Sequence, residues 1–354
     1  MNSISIGNKV LSTANPSFII AEAGVNHNGS KALALDLVRA AKKAGADCVK
    51  FQTFKAEAVV TVNAPKAAYQ LEVTDKQESQ LDMLKKLELD FDAYTEIIAL
   101  CKELDIQFLS TPYNEKDADF LNSLNVDAFK IASGQLVEHA FLEYIAKLGK
   151  PMIISTGMGN LAEAYEAVEV IHNAGNKKVI VLQCTTNYPS NIEDSNIKAM
   201  VSMQQALNVL VGYSDHVPSN YACYAAISLG AIVIEKHFTL DKDMPGPDHS
   251  SSLNPTEFKE LVHGIRAVES ALGSPVKRPT ATEIKNTKGM RRSIVLAAAL
   301  PKGTMLKKEH LTFKRPATGI APKLLSTIIG RKLSVDILAD TILQQEHLEV
   351  RNNN

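Results

Sequence analysis

Short apolar runs alternate along the chain with segments in which hydrophobic residues return every three or four positions. Eight runs have the length and composition of buried strands: Phe18–Ala21, Asp47–Phe51, Ile106–Leu109, Asp127–Ile131, Met152–Ile154, Val179–Leu182, Asn208–Val211 and Ala231–Ile234. The periodic segments predict helices at Ala32–Ala44, Phe91–Leu104, Ala118–Leu124, Leu142–Leu148, Leu161–Ala174, Ser219–Leu229 and Glu257–Leu272. The pattern therefore predicts a repeated strand–helix unit.

Strands that are apolar on both faces and alternate with helices favour a parallel sheet. Eight such units within about 250 residues indicate a closed (β/α)8 TIM barrel. An open doubly wound sheet is the alternative, but no glycine-rich dinucleotide fingerprint follows the first strand. The residues before Phe18 predict a small hairpin.

The pattern changes beyond Leu272, where a turn-rich and then basic stretch begins. We predict a barrel domain at 1–272, a linker at 273–292 and a small C-terminal domain at 293–354. Short strands are expected there at Ser293–Ala297 and Leu311–Lys314. A domain of this size has little core of its own, so packing against another surface would stabilise it.

Composition excludes several classes of protein. The 354 residues are 45% hydrophobic and 22% charged, with a net charge of -1, so no overall field attracts nucleic acid or an anionic membrane. The four cysteines form no CxxC pair, which suits free thiols in a reducing compartment. With no signal-like N-terminus and no membrane-length apolar run, the chain is expected to be cytoplasmic.

Two histidines follow neighbouring predicted strands. His216 comes after the run ending at Val211, and His237 after the run ending at Ile234. A right-handed strand–helix–strand crossover makes these strands parallel neighbours, so both imidazoles should lie at one end of the barrel. They could bind one divalent cation, with Asp248 of the next loop available to the metal or to a substrate hydroxyl. Either could instead be a hydrogen-bonded loop residue.

The other strand ends are also polar, and three carry lysines. Burying a lysine in a strand is costly unless it meets an anion. We therefore predict one pocket that suits a phosphate with an adjacent carboxylate, lined by Lys50, Lys130, Lys236, Thr111, Ser133, Ser155 and Ser214. Glu22 at the end of the first strand is the expected acid or base, although it could simply pair with a lysine.

These motifs resemble the N-acetylneuraminate (sialic acid) synthase family, which includes legionaminic and pseudaminic acid synthases. The matching stretches run nearly end to end: 20–29, 49–54, 110–112, 130–134, 155–158, 213–216, 235–241, 246–249 and 314–316. The resemblance implies a (β/α)8 barrel followed by an antifreeze-like (SAF) domain. It also implies condensation of phosphoenolpyruvate and water with N-acetylmannosamine, giving N-acetylneuraminate and phosphate. The alternative acceptor is the 6-deoxy diacetamido sugar used by N,N'-diacetyllegionaminate synthases.

The resemblance assigns roles to individual residues. It makes Glu22 the catalytic carboxylate and His216 and His237 ligands of a divalent metal, Mn²⁺ before Mg²⁺ or Co²⁺. The phosphoenolpyruvate contacts are Lys50, Thr111, Lys130, Ser133, Ser155, Thr186 and Ser214, with Asn187 the alternative to Thr186. The sugar contacts are Gln52, Tyr188, Asp248 and Arg315. In the family a domain-swapped homodimer brings this arginine to the neighbouring barrel.

Two other classes of protein fit parts of the pattern. Barrel lysines also form Schiff bases in aldolases and lyases, for which Lys130 and Lys236 are candidates. The small C-terminal domain could instead make the chain a carbohydrate-binding protein. The full set of ionisable strand ends favours the synthase.

Overall fold

Eight parallel strands form the centre of the structure, at the positions that the apolar runs predict. The computed structural model describes residues 3–67, 70–71 and 74–350, and it divides into two units, Met1–Gly273 and Ser274–Asn354. After a hairpin of β1 (Ile4–Ile6) and β2 (Lys9–Leu11), the strands are β3 (Phe18–Gly24), β4 (Cys48–Thr53), β5 (Gln107–Pro112), β6 (Phe129–Ile131), β7 (Met152–Ser155), β8 (Val179–Cys184), β9 (Leu210–Asp215) and β10 (Val233–His237).

The strands make a nearly closed barrel. Their order in the sheet is β5-β4-β3-β10-β9-β8-β7-β6, and every pairing is parallel. The last strand pairs with the first, which places His237 opposite Glu22. The predicted (β/α)8 architecture is confirmed. Most strands continue past their apolar run, because polar residues at the strand ends still pair through their backbone.

Helices connect the strands and cover the outside of the barrel. They are α1 (Lys31–Ala44), α2 (Ala56–Val59), α3 (Gln80–Lys85), α4 (Phe91–Glu103), α5 (Glu115–Ser123), α6 (His139–Lys147), α7 (Leu161–Asn173), α8 (Lys198–Leu207), α9 (Tyr221–Ser228) and α10 (Pro255–Leu272). All seven predicted helices are present. Helix α8 was not predicted, although its buried face consists of Met200, Met203 and Leu207.

The barrel interior is apolar at one end and polar at the other. Residues that point inward near the strand starts pack with the hairpin residues Ile4, Ile6 and Leu11 in one cluster. On β3 the inward positions are Phe18, Ile20 and then Glu22, because alternate residues of a strand face the same side. The hairpin thus closes the N-terminal end, and the polar residues collect at the C-terminal end, where the sites of such barrels form.

The second unit has its own small core. It contains α11 (Ala281–Met290), an antiparallel pair of β11 (Ser293–Leu296) and β12 (Leu311–Lys314), and α12 (Leu325–Ile328). Helix α11 occupies part of the segment expected to be a linker, and none of its residues is buried. The core residues include Ile294, Leu296, Leu306, Ile320, Ile328, Leu333, Ile337, Leu343 and Leu348. Within the described ranges, no helix is long and apolar enough to cross a membrane.

Candidate active site

The resemblance assigns roles to fourteen residues, and thirteen of them line one cavity at the C-terminal ends of the strands. They are Glu22, Lys50, Gln52, Thr111, Lys130, Ser133, Ser155, Thr186, Tyr188, Ser214, His216, His237 and Asp248. The geometry brings the predicted groups together, while the role of each stays a prediction.

Two lysines and two carboxylates form the floor of the cavity. Lys50 contacts Glu22 and also donates to the Thr111 hydroxyl at 3.3 Å. Lys130 donates to the Ser155 hydroxyl at 2.8 Å. Both ammonium groups are buried, and hydroxyl donors surround them. The floor therefore offers cations and hydroxyls at positions where an anionic substrate could exchange with the carboxylates.

Glu235 is a floor residue that the sequence argument missed. Its Oε1 lies 3.3 Å from Lys130 Nζ and accepts a 2.9 Å hydrogen bond from the Ser214 hydroxyl. Its Oε2 lies 3.9 Å from Lys50 Nζ. Strand alternation could have found it, because an inward His237 requires Glu235, two residues earlier, to face inward too.

The same alternation corrects the prediction for Lys236, which does not belong to the cavity. Its side chain lies on the opposite face of β10, where the ammonium pairs with Asp215 at 2.5 Å. The backbone oxygens of Val217 and Ser219 accept its other hydrogen bonds. The predictions that Lys236 donates to a phosphate and that it could form a Schiff base are therefore wrong.

Burial and neighbouring charges shift the pKa values of the two floor carboxylates in opposite directions. Burial raises the pKa of Glu22 above its usual 4.5, and the neighbouring Lys50 opposes that shift without cancelling it. Burial acts in the same direction on Glu235, but Lys130 and Lys50 outweigh it and lower its pKa to about 2. Glu235 is therefore a fixed anion, whereas Glu22 is the carboxyl whose environment suits proton transfer.

The two predicted metal ligands are neighbours at the rim of the floor. The ring centroids of His216 and His237 are 5.3 Å apart. The Nδ1 of His216 donates to the Thr185 carbonyl at 2.6 Å, so Nε2 is the nitrogen left for a ligand. Burial lowers the pKa of His216, but the neighbouring Cys184 outweighs burial, so the net shift is upward. Burial holds the pKa of His237 well below 6.5, and its buried Nδ1 has no hydrogen-bond partner among the residues that the structure describes.

Two adjacent imidazoles fit a divalent cation as a pair of nitrogen ligands once His216 is deprotonated. Asp248 is close, with Oδ2 3.8 Å from His237 Nδ1, and burial and Glu22 raise its pKa to about 6. In the part of the chain that the structure describes, no three His, Cys, Asp or Glu side chains converge as a complete metal site.

The structure distinguishes Thr186 from Asn187, which the sequence could not separate. Thr186 lines the cavity, and within the described part of the chain its buried hydroxyl has no hydrogen-bond partner, whereas Asn187 is exposed. Gly157 makes room beside it, because a Cβ there would lie 2.1 Å from the Thr186 hydroxyl. Of the two, Thr186 is the residue placed to meet a ligand.

The outer part of the cavity has one polar and one apolar side. On the polar side, Gln52 donates to Glu22 at 3.2 Å and accepts from the Tyr113 hydroxyl at 3.0 Å. The ring centroids of Tyr188 and His216 are 4.1 Å apart. The segment after β4 supplies a mainly apolar wall, consisting of Val59, Val60, Met83, Leu84 and Leu87 together with the amides Gln70 and Gln80. Val25, in the loop after β3, joins it.

Arg315, the fourteenth predicted residue, belongs to the second unit. It follows β12, and its Nε donates to the Met290 carbonyl at 2.9 Å. Its predicted contact with sugar stays a prediction.

The chain resembles known synthases over nearly its whole length. Residues 37–277 match the NeuB family, and residues 291–349 match the SAF domain. An N,N'-diacetyllegionaminic acid synthase of Legionella pneumophila is 45% identical over 94% of this chain and 94% of its own. The human N-acetylneuraminate-9-phosphate synthase is 36% identical, over 94% of this chain and 92% of its own.

A solved structure has the same fold. It is the N-acetylneuraminic acid (sialic acid) synthetase of Leptospira borgpetersenii in complex with citrate, with a TM-score of 0.73 and 29% identity. The match covers 80% of this chain and 95% of that one.

Proposed function

Because the chain belongs to the NeuB family of sialic-acid-type synthases, we propose that it condenses phosphoenolpyruvate with an open-chain N-acylated hexosamine and water. The products are a nonulosonic acid and phosphate. One observation carries the proposal: buried Lys50 and Lys130 share a cavity floor with Glu22 and the His216–His237 pair.

Phosphoenolpyruvate would bind at the floor. Its phosphate and carboxylate need several cationic and hydroxyl donors, which Lys50 and Lys130 supply together with Thr111, Ser133, Ser155, Thr186 and Ser214. Fixing both anionic groups orients the methylene carbon toward the rim. There it would attack the aldehyde carbon of the acceptor, forming the new carbon–carbon bond.

The rim would hold the acceptor. His216 and His237 would hold a divalent cation, which, when bound, polarises the aldehyde carbonyl. Gln52, Tyr188 and Asp248 would orient the hydroxyl and N-acyl groups of the sugar. His216, His237 and Asp248 are buried, so a substrate bound between them would be held in one orientation, which contributes to the rate.

Glu22 would move the protons. After the carbon–carbon bond forms, water adds to the phosphate-bearing carbon, and phosphate leaves as the carbon–oxygen bond to it breaks. The added water must lose a proton, and Glu22 is a buried carboxyl at the floor with a raised pKa. Such a positioned acid or base contributes about 10²–10⁴ to a rate.

Two observations favour the 6-deoxy diacetamido acceptor over N-acetylmannosamine. The relative at 45% identity is named an N,N'-diacetyllegionaminic acid synthase. The outer wall is also apolar, and among the described lining residues lysines are confined to the floor at Lys50 and Lys130. A methyl group at carbon 6 suits such a wall better than a hydroxyl or a phosphate.

The second unit would act on the barrel of a partner subunit. A guanidinium such as that of Arg315 suits sugar hydroxyls and an N-acyl carbonyl. The small core of this unit would gain stability by docking on a second copy. We therefore propose a domain-swapped homodimer.

A single set of assays tests the proposal. Purified protein is incubated with phosphoenolpyruvate, Mn²⁺ and a panel of acceptors, and phosphate release is measured with and without chelator. We expect release with the 6-deoxy diacetamido acceptor, loss in chelator, and recovery with added Mn²⁺. His216→Ala and His237→Ala should lose activity while keeping the circular dichroism of the folded barrel. Full turnover in chelator, or no release with any acceptor, would refute it.

A further inference from the structure

A buried ion pair on the outer face of the barrel wall joins the two strand ends that carry the histidines. Asp215 of β9 and Lys236 of β10 are register partners, and each directly precedes a histidine in the sequence. Lys236 Nζ lies 2.5 Å from Asp215 Oδ2, and the two side chains are 2% and 0% exposed. The pair therefore lies directly behind His216 and His237.

The ammonium of Lys236 also holds the loop that follows His216. It donates to the carbonyl oxygens of Val217 at 2.5 Å and Ser219 at 2.9 Å. With Asp215, these contacts use all three of its hydrogens. One side chain thus fixes the backbone on both sides of His216.

The Asp215 carboxylate accepts three further hydrogen bonds behind the site. Its Oδ1 accepts hydrogen bonds from the Val217 amide and the Tyr213 hydroxyl, each at 2.9 Å. Its Oδ2 accepts one from the Cys223 thiol of α9 at 3.1 Å. The carboxylate therefore connects β9, the loop and the helix that follows.

We propose that Asp215 and Lys236 are positioning residues that orient the imidazoles of His216 and His237. Alternate residues face opposite sides of a strand, so fixing an outward side chain fixes the direction of the inward one beside it. Stability alone accounts poorly for the pair, since buried ion pairs are often no better than apolar residues of similar volume. The consequence for metal binding rests on the proposed function, whereas the orientation of the rings does not.

The first test measures Mn²⁺ binding to the full-length protein without substrates, by electron paramagnetic resonance of the free ion. The variants are Lys236→Met and the double variant Asp215→Leu/Lys236→Met, which leaves no unpaired buried charge. Groups that orient metal ligands typically contribute 10–100-fold to affinity, so we expect Mn²⁺ to bind at least about tenfold more weakly. The matched control is Arg266→Met on α10, which breaks the ion pairs of Arg266 with Asp47 and Glu269 and should leave Mn²⁺ affinity unchanged.

The second test needs no metal. Imidazole nitrogen resonances are recorded for the metal-free protein, with each histidine assigned by substitution. In the double variant we expect the signals of His216 and His237 to move and those of His27 and His249 to stay. A folded double variant with unmoved signals overturns the proposal, as does one with unchanged Mn²⁺ affinity. If the wild type itself takes up no Mn²⁺, the proposed metal dependence fails, and the resonances still decide whether the pair orients the rings.

Discussion

The carboxylate of Glu235 lies 3.3 Å from the ammonium of Lys130 inside the barrel. With Glu22 and Lys50 it completes a floor of two carboxylates and two ammonium groups, which is formally neutral. An entering anion must therefore compete with Glu235 for the lysines that it holds in place. The same carboxylate favours the charged form of Lys50, because its own pKa is about 2 and it stays ionised.

Replacing Glu235 with glutamine should change how activity depends on alkaline pH. Burial lowers the pKa of Lys50. Glu22 and Glu235 together raise it by more than burial lowers it, so the net shift is upward. Removing one of these carboxylates should lower the pKa of Lys50. The alkaline limb of kcat/KM for phosphoenolpyruvate should then move to lower pH, measured by phosphate release between pH 6 and about 10. Glu269→Gln, on α10, serves as the control, and an unmoved limb in Glu235→Gln would contradict the interpretation.

The sequence predicts the barrel well, because its signals are local. Each strand is an apolar run, and each predicted helix buries one face at regular spacing, as Leu37, Val38 and Ala41 do on α1. Helix α8 was predictable by the same rule, since its buried Met200, Met203 and Leu207 return every three or four positions. The strand ends were placed too early, since polar residues such as Ser214 and Asp215 interrupt the apolar pattern without ending the pairing.

The site is only partly predictable, because residue type does not show which way a side chain points. Lys50, Lys130 and Lys236 look equivalent in the sequence, yet Lys236 lies on the outer face of its strand. Counting in steps of two from His237 would have excluded Lys236 and included Glu235. The apolar wall was not predicted, since the part of the barrel that the segment after β4 covers depends on tertiary packing.

The substitution Glu22→Gln should separate binding from turnover. The amide keeps the shape of the carboxyl group but cannot transfer a proton, so turnover should fall by about 10²-fold or more while phosphoenolpyruvate still binds. Binding is measured by calorimetry and turnover by phosphate release. A raised Michaelis constant with unchanged turnover would make Glu22 a binding residue instead.

The apolar wall should determine which acceptor is used. Leu84 lines the cavity and is half-buried, so Leu84→Lys would place an ammonium there with little loss of core. Relative to the 6-deoxy diacetamido acceptor, kcat/KM for N-acetylmannosamine 6-phosphate should rise about tenfold, equivalent to ~1.4 kcal/mol. Val62→Lys is the control, because Val62 is 74% exposed in the same segment and does not line the cavity. Equal selectivity in both variants would exclude the wall as the determinant.

His27 should make the fold sensitive to mild acid. Burial and then His249 lower its pKa from 6.5 to about 4, so below pH 6.5 the unfolded chain takes up a proton that the folded chain does not. Stability should therefore fall as pH drops from 6.5 to 4, by about 3 kcal/mol from this residue alone. In His27→Asn this part of the loss of stability should disappear. The measurement is the urea midpoint of unfolding at several pH values between 6.5 and 4. His263→Asn, at an exposed position of α10, should keep the wild-type slope.

Mixed subunits should reveal whether Arg315 acts on a neighbouring barrel. Glu22→Ala and Arg315→Ala should each be nearly inactive alone. In a heterodimer of the two, one barrel keeps Glu22 and receives an intact Arg315 from its partner, so about half of the wild-type activity should return per heterodimer. If each barrel used its own Arg315, both sites would lack one residue and no activity would return.

The control for this experiment pairs two substitutions that fall in the same barrel. Glu22→Ala mixed with His237→Ala leaves one barrel without Glu22 and the other without His237, since both residues line the same cavity of a single chain. No exchange of the second unit can restore either site, so this mixture should stay inactive. Tagged subunits purified in sequence give heterodimers of known composition, and phosphate release is measured on each. Activity in the Glu22–Arg315 mixture together with none in the control would establish a site shared between subunits, because that pattern cannot arise within one chain.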